Sequence, residues 1–213
     1  MVAESSVETR LILASGSPRR RELLSNHGFT FEVQAADIDE SVRPGESPDA
    51  YVQRLAVEKA TAIRDRLAAD AADRGANAEV DITVIGADTT VAFQGEILGK
   101  PVDAADAKAM LRRLSGATHQ ALTGVAVVRH ETVSVCVRTN VTFAEMTDHE
   151  IDWYVSTGDP LDKAGSYGIQ GIAGSYVERI DGNVQNVAGL PMHHLVVLLA
   201  KVGLSPSMLR VPV

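Results

Sequence analysis

The apolar positions of this chain change period several times, and each change marks an element. Leu11 to Ala14 is an apolar run of strand length, and Ser15 to Ser17 lead from it into a helix with Ser17 as N-cap, Pro18 at the first helical position and Gly28 as the stop. Phe29 to Gln34 reads as a second strand, followed by an acidic loop with Asp37, Asp39 and Glu40. From Ser47 and Pro48 onward, Val52, Leu55, Ala56, Ile63 and Leu67 recur at helical spacing, which predicts a long helix ending near Ala69. A polar connector, DAADRGANAEVD, separates it from the apolar strand ITVIGADTTVAF, which Gln94 and Gly95 turn back into EILGKP. Asp103 caps a helix from Ala104 to Leu114 that Gly116 closes, and two β runs, Gln120 to Val128 and Thr132 to Phe143, follow as a hairpin. Thr147 and Glu150 form a capping-box pair for a helix to Val155, stopped by Gly158. A glycine-rich loop, DPLDKAGSYGIQGIAGSY, leads to a strand from Tyr176 to Ile180 and a last helix from about Pro191 to Val202, ended by Gly203.

Strands and helices intermix, with both hairpins and crossovers, so the class is α/β with a mixed sheet rather than a purely parallel one. With 213 residues, 45% of them hydrophobic and 23% charged, the chain is sized for one globular domain. Residues 10–203 read as that domain, 1–9 as a flexible N-terminal tail and 204–213 as a C-terminal tail. The net charge of −8 argues against nucleic acid or an anionic membrane surface as partner, since both need a broad basic face. Cys136 is the single cysteine and sits in the apolar stretch VSVCVR, which suits a buried thiol in a reducing compartment. The first ten residues have no apolar core of a secretion signal, and the expected location is the cytoplasm.

Against this background several polar residues are awkwardly placed. Arg19, Arg20 and Arg21 open a helix whose start already carries partial positive charge, so they are misplaced unless an anion or distant acids join them. Free N–H groups at a helix start, the Ser17 hydroxyl and two guanidinium forks are together what phosphate oxygens require. Lys59 falls within the apolar stripe of the long helix, where it either snorkels to water or points into a cleft. Asp88 interrupts an apolar strand, as a strand-end cap or as a general base or metal ligand, and Gly86 two residues earlier leaves space on the same face. Glu40 lies in a loop that is ordinarily solvated, and with Asp88 it would hold a divalent cation against phosphates. Lys100 ends the strand returning toward Asp88. Gln170 lies between Gly168 and Gly171, and its amide both donates and accepts, as reading a base edge requires. There is no Walker loop, GxGxxG, GxSxG or HExxH spacing, which disfavours the classes built on them.

Taken in order, LASGSPRRRELL, YVQRLAVEKA, VIGADTTV, ILGKP, LSGATHQALTGVAV, DPLDKAGSYGIQG and NVAGLP resemble the Maf family of nucleoside triphosphate pyrophosphatases over about residues 11–200. The departures are the N-terminal tail, the polar connector, and Thr90 where the family often has Val or Ile. The resemblance implies an elongated mixed α/β fold, inosine triphosphatase-like, with two lobes around a central cleft. It implies cleavage between the α and β phosphates with a divalent cation, Mg or Mn, and a homodimer. By the same resemblance Asp88, Glu40 and Lys100 are catalytic, and Asp88 and Glu40 hold metal. Ser17, Arg19, Arg20, Lys59 and Lys100 match the phosphate-side residues, and Arg19, Thr89 and Gln170 match specificity positions. DKAGSYGIQG with GADT is similar to the branch acting on dTTP and UTP. Two alternatives stand beside it: a regulator of septation that binds nucleotide without turnover, and a pyrophosphatase for modified purines such as 7-methyl-GTP.

Overall fold

The computed structural model describes residues 9–73 and 81–209. Its elements in order are β1 (Thr9–Leu13), α1 (Pro18–Asn26), β2 (Glu32–Val33), α2 (Pro48–Asp73), β3 (Asp81–Phe93), β4 (Glu96–Leu98), α3 (Ala104–Leu114), β5 (Thr118–Val128), β6 (Thr132–Phe143), α4 (Asp148–Ser156), β7 (Val177–Asp181), α5 (Val184–Val187) and α6 (Met192–Lys201). The strands form one seven-stranded sheet in the order β2-β1-β3-β5-β6-β7, with β4 also on β3. β1 pairs parallel with β2 and β3, and every other pairing is antiparallel, so the sheet is mixed as expected.

Because side chains alternate along a strand, β3 serves two different environments. Ile85 and Ala87 join Leu13, Val125 and Val127 under Leu23 and Leu24 of α1 and Leu195, Leu198 and Leu199 of α6. Further along the same face, Val91 joins Ala121, Val141 and Phe143 under Leu111 and Leu114 of α3 and Ile151 and Tyr154 of α4. Thr89 and Thr123, paired across β3 and β5, stand between these two apolar clusters. The clusters are the cores of two lobes built on one sheet, and the polar belt is the boundary between them.

The opposite face is covered by α2, whose Ala60, Ile63 and Leu67 pack with Ile12, Ala14, Ile82 and Val84. Two glycines set how closely the helix lies. A Cβ on Gly86 would come within 2.0 Å of the Ala56 carbonyl oxygen, and one on Gly124 within 2.1 Å of the Val52 carbonyl oxygen. The space expected beside Asp88 at Gly86 is therefore filled by helix backbone. Any side chain there would force the helix outward.

Several other expectations change. The second strand shrinks to Glu32–Val33, because Phe29 turns into the core and the Thr30 N–H donates to the Leu209 carbonyl instead of a sheet partner. Helix α2 runs on to Asp73 through part of the expected connector, whose residues 74–80 lie outside the described residues. The glycine-rich loop contains three short 3-10 turns, and α5 was not anticipated. Within the span expected as a C-terminal tail, Leu204 and Leu209 are buried in the first cluster. Residues 1–8 and 210–213 of the expected tails lie outside the described residues. Among the described residues no helix is long and apolar enough to cross a membrane.

Candidate active site

β3 is longer than its neighbours on one edge. β1 pairs with residues 81–85 and β4 with residues 91–93, which leaves residues 86–90 with no strand partner on that side among the described residues. A cavity of about 590 Å³ opens against this gap, within the usual size of a small-molecule site. It is lined by five cationic side chains, Arg19, Arg20, Lys59, Lys100 and Lys163, and by three acidic ones, Glu40, Asp88 and Asp162.

Helix α1 brings the first of these. Pro18 occupies its first turn, Ser17 is extended and accepts from the Arg20 N–H at 3.5 Å, and no acid neutralises the first turn. Arg20 turns back from that helix into the polar belt. Its Nε donates to the Gly189 carbonyl at 2.9 Å, Nη1 to the Ser15 hydroxyl at 2.9 Å and Nη2 to the Thr89 hydroxyl at 3.0 Å. All three acceptors are neutral. Burial pulls the Arg20 pKa down, against the pull of Asp88 and Glu40, so the guanidinium is a desolvated charge with no contacting carboxylate among the described residues.

Lys59 comes from the other side of the sheet. Seated close by the two glycines, α2 carries it to the β3 edge, where it is buried rather than snorkelling to water. Its Nζ lies 2.7 Å from Asp88 Oδ1 and 2.7 Å from Glu40 Oε1, so one ammonium bridges both carboxylates. Asp88 is therefore neither a turn cap nor solvated. Burial raises its pKa although Lys59 and Arg20 pull it down, and neighbouring Glu40 adds to the rise. Glu40 is also pushed up by its partial burial, but the hydrogen bond and charge of Lys59, then Lys100 and Arg20, outweigh that and hold it below the ordinary value.

The loop bearing Glu40 is itself held by α2. The Tyr51 hydroxyl donates to the Glu40 carbonyl at 2.9 Å, and Arg54 makes a two-point contact with Glu46 at 2.6 and 2.7 Å and donates to the Ser41 carbonyl at 3.0 Å. Tyr51 and Arg54 lie on the rim of the helical stripe, where sequence reading finds nothing unusual.

Ser17, Arg19, Arg20, Glu40, Lys59, Asp88, Thr89 and Lys100 thus meet at one cavity. Gln170 does not. It is exposed and absent from the cavity wall, although its loop passes close: a Cβ on Gly168 would meet the Lys163 stem at 2.9 Å and Arg19 Nη2 at 3.5 Å. Lys163, which sequence reading passed over inside the glycine-rich loop, pairs with Asp159 and Asp162 at 2.9 and 2.7 Å. Ser15 was likewise read only as a turn residue. Cys136, expected buried, is half-buried, and burial and nearby Asp49 push its thiol up to about 12.

Among the described residues no cluster of three or more His, Cys, Asp or Glu side chains forms a self-sufficient metal site. Glu40 and Asp88 supply two hard carboxylate donors at the cavity wall, which suits magnesium or manganese when phosphate oxygens complete the shell.

The Maf-like protein family matches residues 10–202. A dTTP/UTP pyrophosphatase of Hahella chejuensis is 53% identical over 196 residues, covering 92% of this chain and 93% of its own. One from Anaeromyxobacter dehalogenans is 49% identical, covering 91% and 94% of the two chains. Another from Chromobacterium violaceum is 49% identical and covers 93% and 98%. With a match running from β1 through α6 and relatives this similar over nine-tenths of its length, the chain belongs to the Maf family.

Proposed function

We propose that this protein hydrolyses dTTP and UTP to the nucleoside monophosphate and pyrophosphate, as the names of its relatives indicate for them. One observation carries the reading: in a chain of net charge −8, five cations against three acids gather at the cavity into which the buried Asp88 opens. A triphosphate is the ligand whose charge answers that excess.

In the mechanism, water attacks the α phosphorus, the new oxygen–phosphorus bond forms as the bond to the bridging oxygen of the β phosphate breaks, and pyrophosphate leaves. Asp88 takes the proton of the attacking water, a role suited by its place on the cavity wall at the open edge of β3. Arg20 and the α1 N-terminus receive phosphate oxygens, and Lys59 and Lys100 offset the charge that develops on the leaving group. Glu40 with Asp88 would hold the divalent cation, which when bound supplies charge neutralisation along the phosphates. Arg19 from the start of α1 and Gln170 from the glycine-rich loop at the lip would contact the base. The setting is the cytoplasm.

The test is release of pyrophosphate from a panel of nucleoside triphosphates with magnesium or manganese. The expected result is turnover of dTTP and UTP ahead of purine triphosphates, with Gln170→Ala flattening the preference while phosphate binding persists. Tight nucleotide binding without pyrophosphate release would overturn the assignment.

A further inference from the structure

Hydrogen-bond accounting around Thr89 fixes a direction for its proton. Thr123 stands directly opposite Thr89 on β5. The Thr123 hydroxyl donates to the Asn186 carbonyl at 2.8 Å, and a carbonyl has no proton to return, so the one hydrogen of Thr123 is committed there. The 3.0 Å contact between the two threonine hydroxyls is then donated by Thr89. With its own hydrogen spent, Thr89 offers only lone pairs, and one of them accepts from Arg20 Nη2 at 3.0 Å.

The far end of the relay is equally well fixed. Asn186 is fully buried, and its Nδ2 donates to the Ala121 carbonyl and to the Thr139 hydroxyl, each at 3.0 Å, pinning the short helix α5 to β5 and β6. Three residues on, the Gly189 carbonyl accepts from Arg20 Nε at 2.9 Å. The contacts therefore close a ring: Arg20 to Thr89, Thr89 to Thr123, Thr123 to Asn186, and back from Gly189 to Arg20. With Nη1 also donating once, to Ser15, the guanidinium keeps one uncommitted N–H on each terminal nitrogen for phosphate oxygens.

We propose that Thr123 and Asn186 are positioning residues for the anion site, holding Arg20 through Thr89 in the orientation that receives the polyphosphate. This assigns Thr89 to orienting Arg20 rather than to donating to the ligand. The inference rests on reading Arg20 as a phosphate ligand, and its test separates the two.

Inorganic pyrophosphate is titrated calorimetrically into the full-length protein and its variants. Wild type binds, and Thr123→Val weakens binding about tenfold, the scale of a lost buried hydrogen bond. Thr123→Ser, which keeps the hydroxyl, restores the wild-type value, and Thr89→Val, which cuts the next link, matches Thr123→Val. In an Arg20→Met background Thr123→Val produces no further loss, because the effect travels through Arg20. Wild-type affinity in Thr123→Val, or additive losses in the double variant, would overturn the relay while leaving the polyphosphate reading intact. Should Thr123→Val fail to fold, unchanged affinity in Thr89→Val overturns it just as well. Absence of pyrophosphate binding in wild type would bring down the polyphosphate reading and the relay together.

Discussion

Arg20 and Lys59 are both buried at the cavity wall, with 9% and 7% of their surface exposed, yet their charges are treated in opposite ways. Lys59 touches two carboxylates, so its charge is already met within the protein before a phosphate arrives. Arg20 touches a carbonyl and two hydroxyls, so its charge is held in place and left standing. The first arrangement keeps two acids together at a sheet edge; the second keeps a guanidinium oriented and hungry for an anion. They approach β3 from opposite faces, Lys59 on α2 and Arg20 on α1, and meet where no neighbouring strand covers the edge. A buried charge with only neutral partners is a cost that a ligand can relieve, and a buried pair is not.

Replacing the acid of the Lys59 pair gives the largest expected effect. Asp88→Asn removes the proposed base at constant shape, and kcat should fall about a thousandfold, within the range for a positioned base. Stability should not fall with it. Lys59 keeps Glu40 as partner, and a carboxyl whose pKa is raised by burial is one whose ionised form the fold disfavours. The contribution of Asp88 to stability is present below its unfolded pKa and lost as pH rises through the raised folded value. Thermal unfolding should therefore show Asp88→Asn at or above the wild-type Tm at pH 7, with any advantage disappearing toward pH 3. A large drop in Tm at neutral pH would show that the Lys59 pair is a structural strut instead.

The matching change on the other side is Arg20→Lys, which keeps the charge and loses the fork. An ammonium cannot reach Gly189, Ser15 and Thr89 and still present two donors outward, so kcat/KM should drop about a hundredfold, as for loss of an oriented donor. Lys59→Arg is the counterpart at the compensated cation. If Arg20→Lys is as active as wild type, point charge rather than orientation is what the site needs, and the contrast between the two cations loses its meaning.

How much of this was legible beforehand follows the range of the interactions. The Ser17 cap of α1, the Asp103 cap of α3, and the Thr147 and Glu150 capping box are local and were readable from a few adjacent letters. Asp88 and Lys59 stood out because each violates the apolar pattern around it, and the structure joins the two anomalies into one ion pair. Thr123 and Asn186 lie within the motifs LSGATHQALTGVAV and NVAGLP but break no apolar pattern. A threonine in a strand and an asparagine after a glycine-containing turn are unremarkable until folding sets them against each other across 63 positions. The same holds for Gly86 and Gly124, where a glycine in a strand announces a close approach but not what approaches. Gln170 is the converse case: the letters around it invite a site, and its side chain stands outside the cavity wall on a loop that passes beside it.

The seating of α2 offers a structural way to pull the contrast apart. Gly86→Ala places a methyl group against the Ala56 carbonyl, which must retreat from an approach of 2.0 Å. Overpacking of this kind costs about 1–3 kcal/mol, sometimes more. Lys59 moves with the helix while Arg20, carried by α1, does not. Chemical denaturation should report the lost stability, and activity should fall through the Asp88 side while pyrophosphate affinity, set by Arg20, changes less. Equal losses in both would mean that the two cations are not independently mounted.

The smallest effect concerns the loop that carries Glu40. Its Glu46 is held down to about 2, chiefly by hydrogen bonds from Arg54 with help from the Arg43 backbone N–H, against a modest push from burial. For a carboxylate with a depressed folded pKa, the stabilisation is present above its unfolded value near 4.5 and fades as pH falls through about 2. Glu46→Gln should therefore lower Tm by about 2–4 °C at pH 7, the shift produced by a weak polar contact in a domain of this size. The difference from wild type should narrow below pH 4.5 and close near pH 2. Because Arg54 also donates to the Ser41 carbonyl beside Glu40, the variant should raise KM modestly at neutral pH while leaving Asp88 chemistry in place. A Tm difference that persists undiminished at pH 2 would mean that packing, and not the Arg54 contact, is what Glu46 contributes.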